Sequence, residues 1–400
     1  MLRLGVGVFD ERLKELPEKS SVLFISSPGL DPTPFGIHAI NSSLKGRGRA
    51  IYLVNNKPPS SVRREAELMG HDLRGLEEQG RLYLVDSYSS YGGGPSNEKY
   101  VVQDPFDLEG VLRTIEPALE QDSVVFVDSM SSYMDMQGDG VEEFLELVRE
   151  LKRRASVMVF FSTWDYDPEC VKRVKAEFDT VLCLRPMQEI SLVRQFLLAE
   201  KIGSGLTQRL AVPVKVLKPG GVRVYFPKVL ITGPYKSGKS TLVRAMSTAA
   251  VSVDRMGTTI AMDHGYLDYR GFACDLYGTP GQELFDPILG TLAEEAVAVI
   301  LVINAADVGS FDRARTMMQL THAHSLPLIV AANHQDRDGA LPLPVIRERL
   351  RLPESTPIIP TVATEGKGVP ELLDVLVSKL MEVAEAEALR EGGRHDHPEG

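Results

Sequence analysis

The chain has 400 residues, 43% of them hydrophobic and 25% charged, and 44 basic against 55 acidic side chains leave a formal net charge of −11. That length exceeds one ordinary core and predicts two domains of globular composition. The negative balance offers no general attraction to nucleic acid or anionic lipid, so neither is an expected partner.

Cys170, Cys183 and Cys274 are scattered and form no C-x-x-C pair, which indicates neither a disulfide framework nor a zinc site. Residues 1–9 lack a long apolar core followed by a small-residue cleavage site, and no run approaches the roughly 20 apolar residues of a membrane span. A cytoplasmic location is expected.

In the first half, the apolar runs Ser21–Ser26, Ala50–Val54, Arg81–Val85, Ser123–Val127, Val157–Phe161 and Thr180–Leu184 read as strands. Amphipathic stretches such as Ser60–Met69, Leu108–Leu119 and Val141–Leu151 lie between them. Continuous hydrophobicity implies burial on both faces, as in a parallel sheet covered by helices. Ser87–Gln103, with repeated Ser, Tyr and Gly, is long for a connection and reads as an interaction or lid loop, or a disordered one. Val212–Leu217 and Gly221–Phe226, joined by Lys218-Pro-Gly, read as a hairpin closing the first unit.

A second strand series starts at Lys228–Thr232 and continues through Gly265–Tyr269 and Phe272–Tyr277, which flank a tight Arg270-Gly271 turn. Val297–Asn304, Pro327–Ala332, Pro357–Pro360 and a closing helix from about Val369 to Leu389 complete it. The predicted division is 1–227, 228–389 and a disordered tail, 390–400. The junction near Pro227 is too short for a flexible tether, so packed domains are expected.

Gly233-Pro234-Tyr235-Lys236-Ser237-Gly238-Lys239-Ser240 matches G-x-x-x-x-G-K-[ST], with a strand before it and a helix opening at Thr241 after it. Glycines at this spacing let the backbone N–H groups of such a loop point inward at phosphates, and the helix N-terminus adds a favourable dipole. Lys239 is placed to reach the β- and γ-phosphates, and the Ser240 hydroxyl to ligate Mg²⁺.

Further motifs follow in order: Thr258-Thr259-Ile-Ala-Met-Asp263, Gly278-Thr-Pro-Gly281-Gln282, Asn333-His334-Gln-Asp336 and Val362-Ala363-Thr364. With the phosphate loop, these resemble the Ras-like small GTPases over about Lys228–Glu387, and among them the bacterial polarity GTPases of the Mgl type and their archaeal relatives. The resemblance implies that Thr259 senses the γ-phosphate through Mg²⁺, and that the Gly281 N–H meets it. It implies that Gln282 orients the attacking water. Asp336 would read guanine N1 and N2, Asn333 would brace that loop, and the Ala363 N–H would meet guanine O6, with Thr364 beside it. His334 replaces the family's lysine over the base, and Gly278 replaces the usual acidic support of Mg²⁺, a departure the Mgl type shares. Asp275 lies three residues upstream, where strand alternation points it to the opposite face, and it is not assigned to the metal.

The first half resembles the KaiC/RecA-like ATPases over about residues 3–226, with Phe9-Asp-Glu-Arg-Leu-Lys like the opening segment of those proteins. Leu23 to Phe35 falls where they carry the phosphate loop, and Pro32, Thr33 and Pro34 stand in place of Gly, Lys and Ser/Thr. Two backbone donors, the cation and the metal hydroxyl are thereby lost. Asn55, Asn56 and Lys57 replace the paired glutamates, while Asp128 fits a strand-end metal-supporting position. Phe160–Tyr166 reads either as part of a partner surface or as a packed loop.

The expectation is two P-loop-NTPase-type, three-layer α/β/α domains with mostly parallel sheets. The chain reads as a GTP/GDP switch using Mg²⁺, with a non-catalytic first half for partner binding or self-association. A scaffold that holds nucleotide without turnover, or an ATP-dependent P-loop enzyme, are the alternatives.

Overall fold

The computed structural model describes residues 2–392 apart from 15, 47, 93, 121, 138–139, 164–165, 189–192, 204–209, 250–251 and 256–260. It divides into two units, Met1–Val224 and Tyr225–Gly400.

In the first unit, β1 (Ser21–Ser26), β2 (Ala50–Val54) and β5 (Val124–Asp128) are buried at every position. With β3 (Leu82–Asp86), β4 (Tyr100–Val101), β6 (Ser156–Ser162) and β7 (Thr180–Gln188) they form parallel pairs in the order β4-β3-β2-β5-β6-β1-β7. Antiparallel strands β8 (Val193–Ile202) and β9 (Leu210–Leu217) extend the sheet, and β9 pairs with the first residues of β10 (Gly221–Thr232).

Alternate side chains of these strands serve opposite faces. Leu23, Ile25, Val125, Val127, Val157 and Val159 share a core with Phe144, Val148 and Leu151 of helix Val141–Arg154. On the other face, the Phe24 ring lies 5.1 Å from Phe35 in helix Thr33–Ser43 and 5.4 Å from Phe160. Those two helical layers account for the doubly buried strands.

Ser87–Gln103 departs from the looser reading. It contains a short helix, Tyr88–Tyr91, and β4. Asp86 ties it down, accepting from Ser89 N at 3.0 Å, Ser89 Oγ at 2.6 Å and Ser96 Oγ at 2.5 Å.

In the second unit, Val229–Thr232 of β10 pairs in parallel with β14 (Ala298–Asn304), which pairs with β15 (Leu328–Asn333), and that with β16 (Ile358–Pro360). On the other side β13 (Phe272–Gly278) neighbours β10, and β12 (Ala261–Tyr269) and β11 (Ser252–Arg255) follow, each antiparallel to the last. The β12–β13 turn has positive φ at both central residues, Arg270 (49°) and Gly271 (86°), which matches the twist of the flanking strands.

Helices Phe311–Leu320 and Leu343–Leu350 bury Phe311, Ala314, Ile346 and Leu350 against Leu301, Ile303, Val330 and Ala332. Helix Lys239–Met246 packs on β12, β13 and the last helix, Val369–Gly392. That helix runs past the expected end at Leu389; residues 393–400 of the expected tail lie outside the described residues. No helix among the described residues is long and apolar enough to cross a membrane.

Candidate functional site

Strand β10, flanked by β13 and β14, delivers Gly233–Ser240 at its C-terminal end, where the loop turns directly into helix Lys239–Met246. Gly238 has φ 96°, and a Cβ there would lie 2.2 Å from Asn333 Nδ2, so no other residue fits. Lys239 is buried and its Nζ donates to the carbonyls of Gly233 at 2.9 Å and Pro234 at 2.8 Å. Burial pushes the ammonium down to about 8, against the opposing charge of Asp263. The buried Ser237 hydroxyl has no hydrogen-bond partner among the described residues. Tyr235, Lys236 and Ser240 are exposed, and Thr241 is half-buried. A loop around an inward lysine at a helix N-terminus, with a spare buried hydroxyl, fits a phosphate chain.

A second segment closes on this loop. Thr279 N donates to Ile231 O at 2.8 Å and Thr279 Oγ1 to Thr232 Oγ1 at 3.0 Å. Gly281 is thereby held so close that a Cβ on it would lie 2.6 Å from Tyr235 N and 2.7 Å from Lys239 Nζ. Gln282 follows, exposed. Thr258 and Thr259 lie outside the described residues.

The third element is the end of β15. Asn333 is buried and uses both ends of its amide: Nδ2 donates to Ser237 O at 3.0 Å, while Oδ1 accepts from Ala363 N at 3.0 Å and Thr361 Oγ1 at 3.4 Å. The phosphate loop, the Asn333–Asp336 loop and the Val362–Thr364 segment thus meet at one side chain. His334 is half-buried at φ 63°, its ring held below the usual histidine range first by burial and then by the Arg337 charge. Asp336 and Thr364 are exposed. The Ala363 N–H, expected to meet guanine O6, donates to Asn333 Oδ1 in this structure, because the 361–363 turn passes within reach of the buried amide. Thr361 was overlooked as the second donor; a threonine two residues before the Ala363 position was the available signal.

The corresponding place in the first unit is arranged differently. Pro32 caps helix Thr33–Ser43, with Thr33 and Pro34 buried in its first turn. Asp128 is completely buried, its Oδ2 accepting from Tyr52 OH at 2.7 Å and Thr33 Oγ1 at 3.1 Å, its Oδ1 from Asn56 Nδ2 at 2.9 Å. Asp31 accepts from Thr33 N at 2.9 Å and Lys57 Nζ at 2.8 Å. Asn55 is joined to the Ser129 backbone on both sides of its amide. Burial pushes the Asp128 carboxyl up to about 6, with the Tyr52 hydrogen bond opposing.

Residues 2–228 match the ATPase family described as KaiC, and residues 223–380 match the ADP-ribosylation factor family. A UPF0273 protein of Methanopyrus kandleri is 32% identical over 136 residues, 33% of this chain and 54% of the relative. Translation initiation factor IF-2 of Clostridioides difficile is 26% identical over 289 residues, 68% of this chain and 44% of the relative. The chain therefore spans about half the length of these two relatives. A KaiC-like protein of Pyrococcus horikoshii superposes with a TM-score of 0.46 and 19% identity, covering 56% of this chain and 100% of that one.

Two outcomes follow. Asn333→Ala strands the Ser237 carbonyl and the Ala363 N–H, and is expected to weaken nucleotide binding about 10- to 100-fold by calorimetric titration. For Asp128, the folded carboxyl titrates near 6 against 3.8 in the ordinary state, so its stabilising contribution is full below 3.8 and lost as pH rises through 6. Urea melts of wild type and Asp128→Asn should therefore shift in the variant's favour between pH 4 and 7, by roughly 2 to 3 kcal/mol.

Proposed function

This chain belongs to the KaiC ATPase family and carries a small GTPase domain of the ADP-ribosylation factor family at its C-terminal end, and from that premise we propose that it is a guanine-nucleotide switch whose working site is in the second unit. GTP is bound between Gly233–Ser240 and Asn333–Asp336 and hydrolysed slowly to GDP and phosphate. The observation that carries this reading is the Asn333 amide, which holds the phosphate loop and the base-side loop in one frame.

In this reading the backbone N–H groups of the Gly233–Thr241 segment, Pro234 excepted because it has none, take the phosphate oxygens. The Lys239 ammonium exchanges two loop carbonyls for phosphate oxygens, which carry full charge and make stronger acceptors. Ser240 and Thr259 would hold Mg²⁺, which neutralises charge on the β- and γ-phosphates when bound. The Gly281 N–H would meet the γ-phosphate and Gln282 would orient water. The Asp336 carboxylate would accept from guanine N1 and N2, and the His334 ring would cover the base.

The first unit serves as a partner-binding or self-associating scaffold. Its two prolines remove N–H donors where phosphates would need them, and Asp128 has spent its acceptors on Tyr52, Thr33 and Asn56. A second reading, a scaffold that holds nucleotide without turnover, is favoured by Gly278 standing where the family has an acidic residue. Phosphate release under single-turnover conditions separates the two.

The base assignment is tested with Asp336→Asn. Xanthine presents a carbonyl where guanine presents an amino group, so an asparagine amide can donate where the carboxylate accepted. Wild type should prefer GDP over ADP and over xanthosine diphosphate. The variant should reverse the second preference, moving it by about 100-fold or more. Unchanged GDP affinity in the variant would contradict the assignment.

A further inference from the structure

Gln282 sits on a segment with little of its own to hold it. Between the buried residues Gly281 and Leu289, the side chains of Gln282, Glu283 and Leu284 are exposed, Leu284 at 81%. The backbone makes one tight turn here. Phe285 N donates to Gln282 O at 3.2 Å, and the 3-10 turn Glu283–Phe285 has Gln282 at its start and Asp286 at its end. Asp286 then opens helix Asp286–Ala293. A group that fixes Asp286 therefore fixes Gln282 through a single turn of chain.

That group is Arg313. Its Nη1 donates to Asp286 Oδ2 at 2.8 Å and its Nη2 to Asp286 Oδ1, a fork that sets direction as well as distance. Among the described residues, these are the side-chain hydrogen bonds made by 282–288. The Arg313 side chain is 15% exposed and that of Asp286 29%, so water and salt weaken the pair less than they weaken an open surface pair. The hydrogen bonds from Arg313 hold the Asp286 carboxyl below its usual range. Arg313 stands on helix Phe311–Leu320, between Phe311 and Ala314, which are buried against β14 and β15. Its Nε is buried and has no hydrogen-bond partner among the described residues, a cost that the fork offsets. The Lys239 ammonium is lowered first by burial and, more weakly, by the Arg313 charge, which puts the guanidinium within electrostatic range of the phosphate loop.

We propose that Arg313 is a positioning residue for GTP hydrolysis: through its fork on Asp286 it fixes the turn that carries Gln282 beside the phosphate loop. The inference rests on the guanine-nucleotide reading above and on the role given there to Gln282. Asn333 frames the loops that bind the nucleotide, and Arg313 frames the segment that acts on the attacking water. GDP has no γ-phosphate for that segment to meet, so loss of the fork removes rate and leaves GDP binding.

The test measures the single-turnover rate constant of GTP hydrolysis on the full-length chain, with the affinity for a fluorescent GDP as the control for the site. Asp286→Ala removes the acceptor, and Arg313→Lys keeps the charge but loses the fork. Each is expected to slow hydrolysis about 10- to 100-fold, with GDP affinity within about threefold of wild type. In a Gln282→Ala background, Asp286→Ala is expected to slow hydrolysis by less than about twofold more, because it acts through the residue already removed. A wild-type rate in either single variant overturns the inference. So does a loss of GDP affinity equal to the loss of rate, which would make the pair part of the fold, and so does full additivity with Gln282→Ala. A wild type that binds GDP without turnover contradicts the role of Gln282 and this inference with it, while the binding reading stands. A wild type that binds no guanine nucleotide overturns that reading as well.

Discussion

The buried amide of Asn333 is the joint on which the second unit's site depends. Its donor end holds the Ser237 carbonyl and its acceptor end holds the Ala363 N–H, so three loops that leave three different strands share one side chain. A buried amide left half-paired costs more than a fully paired one contributes, so the arrangement persists only when all three loops are in place. The fit is close enough that Gly238 has no room for a Cβ beside it. The Gly233–Ser240 loop and the Asn333–Asp336 loop are consequently not independent: a change in either is felt through Asn333 by the other.

The two units differ in how the polar groups at corresponding places are paired. Both place a glycine- or proline-marked turn between a buried strand and a helix, and both keep polar groups below that turn. In the second unit those groups are held provisionally: Lys239 rests on two loop carbonyls and Ser237 has a hydroxyl to spare. In the first unit the Asp128 carboxylate is satisfied by Tyr52, Thr33 and Asn56, with Asp31 and Lys57 paired beside it, and the Asn56 Oδ1 is the buried atom of this network left without a partner. Satisfied acceptors offer a ligand nothing that it does not already obtain from water. The first unit kept the fold of its family because the fold rests on doubly buried strands, not on the loop.

Legibility from the sequence followed the range of the interactions. Continuous apolar runs located the buried parallel strands because burial on both faces leaves no polar positions. Helix Thr33–Ser43 was missed for the same reason: it is buried along nearly its whole length, so it shows no one-sided period. Strand β8 was missed because Arg194, Gln195, Glu200 and Lys201 interrupt its apolar residues. The phosphate loop could be read because its chemistry lies in eight consecutive residues. The partners of Asn333 could not, since they sit about a hundred residues before it and thirty after it.

The account stands on the claim that the chain has one working nucleotide site and that it lies in the second unit. The most direct measurement is binding stoichiometry, by equilibrium dialysis of the full-length protein with Mg²⁺ against labelled GDP and, separately, labelled ATP. The account predicts saturation at one GDP per chain, abolished by Lys239→Ala, and no saturable ATP. Two nucleotides per chain, or ATP binding that survives Lys239→Ala, would contradict it.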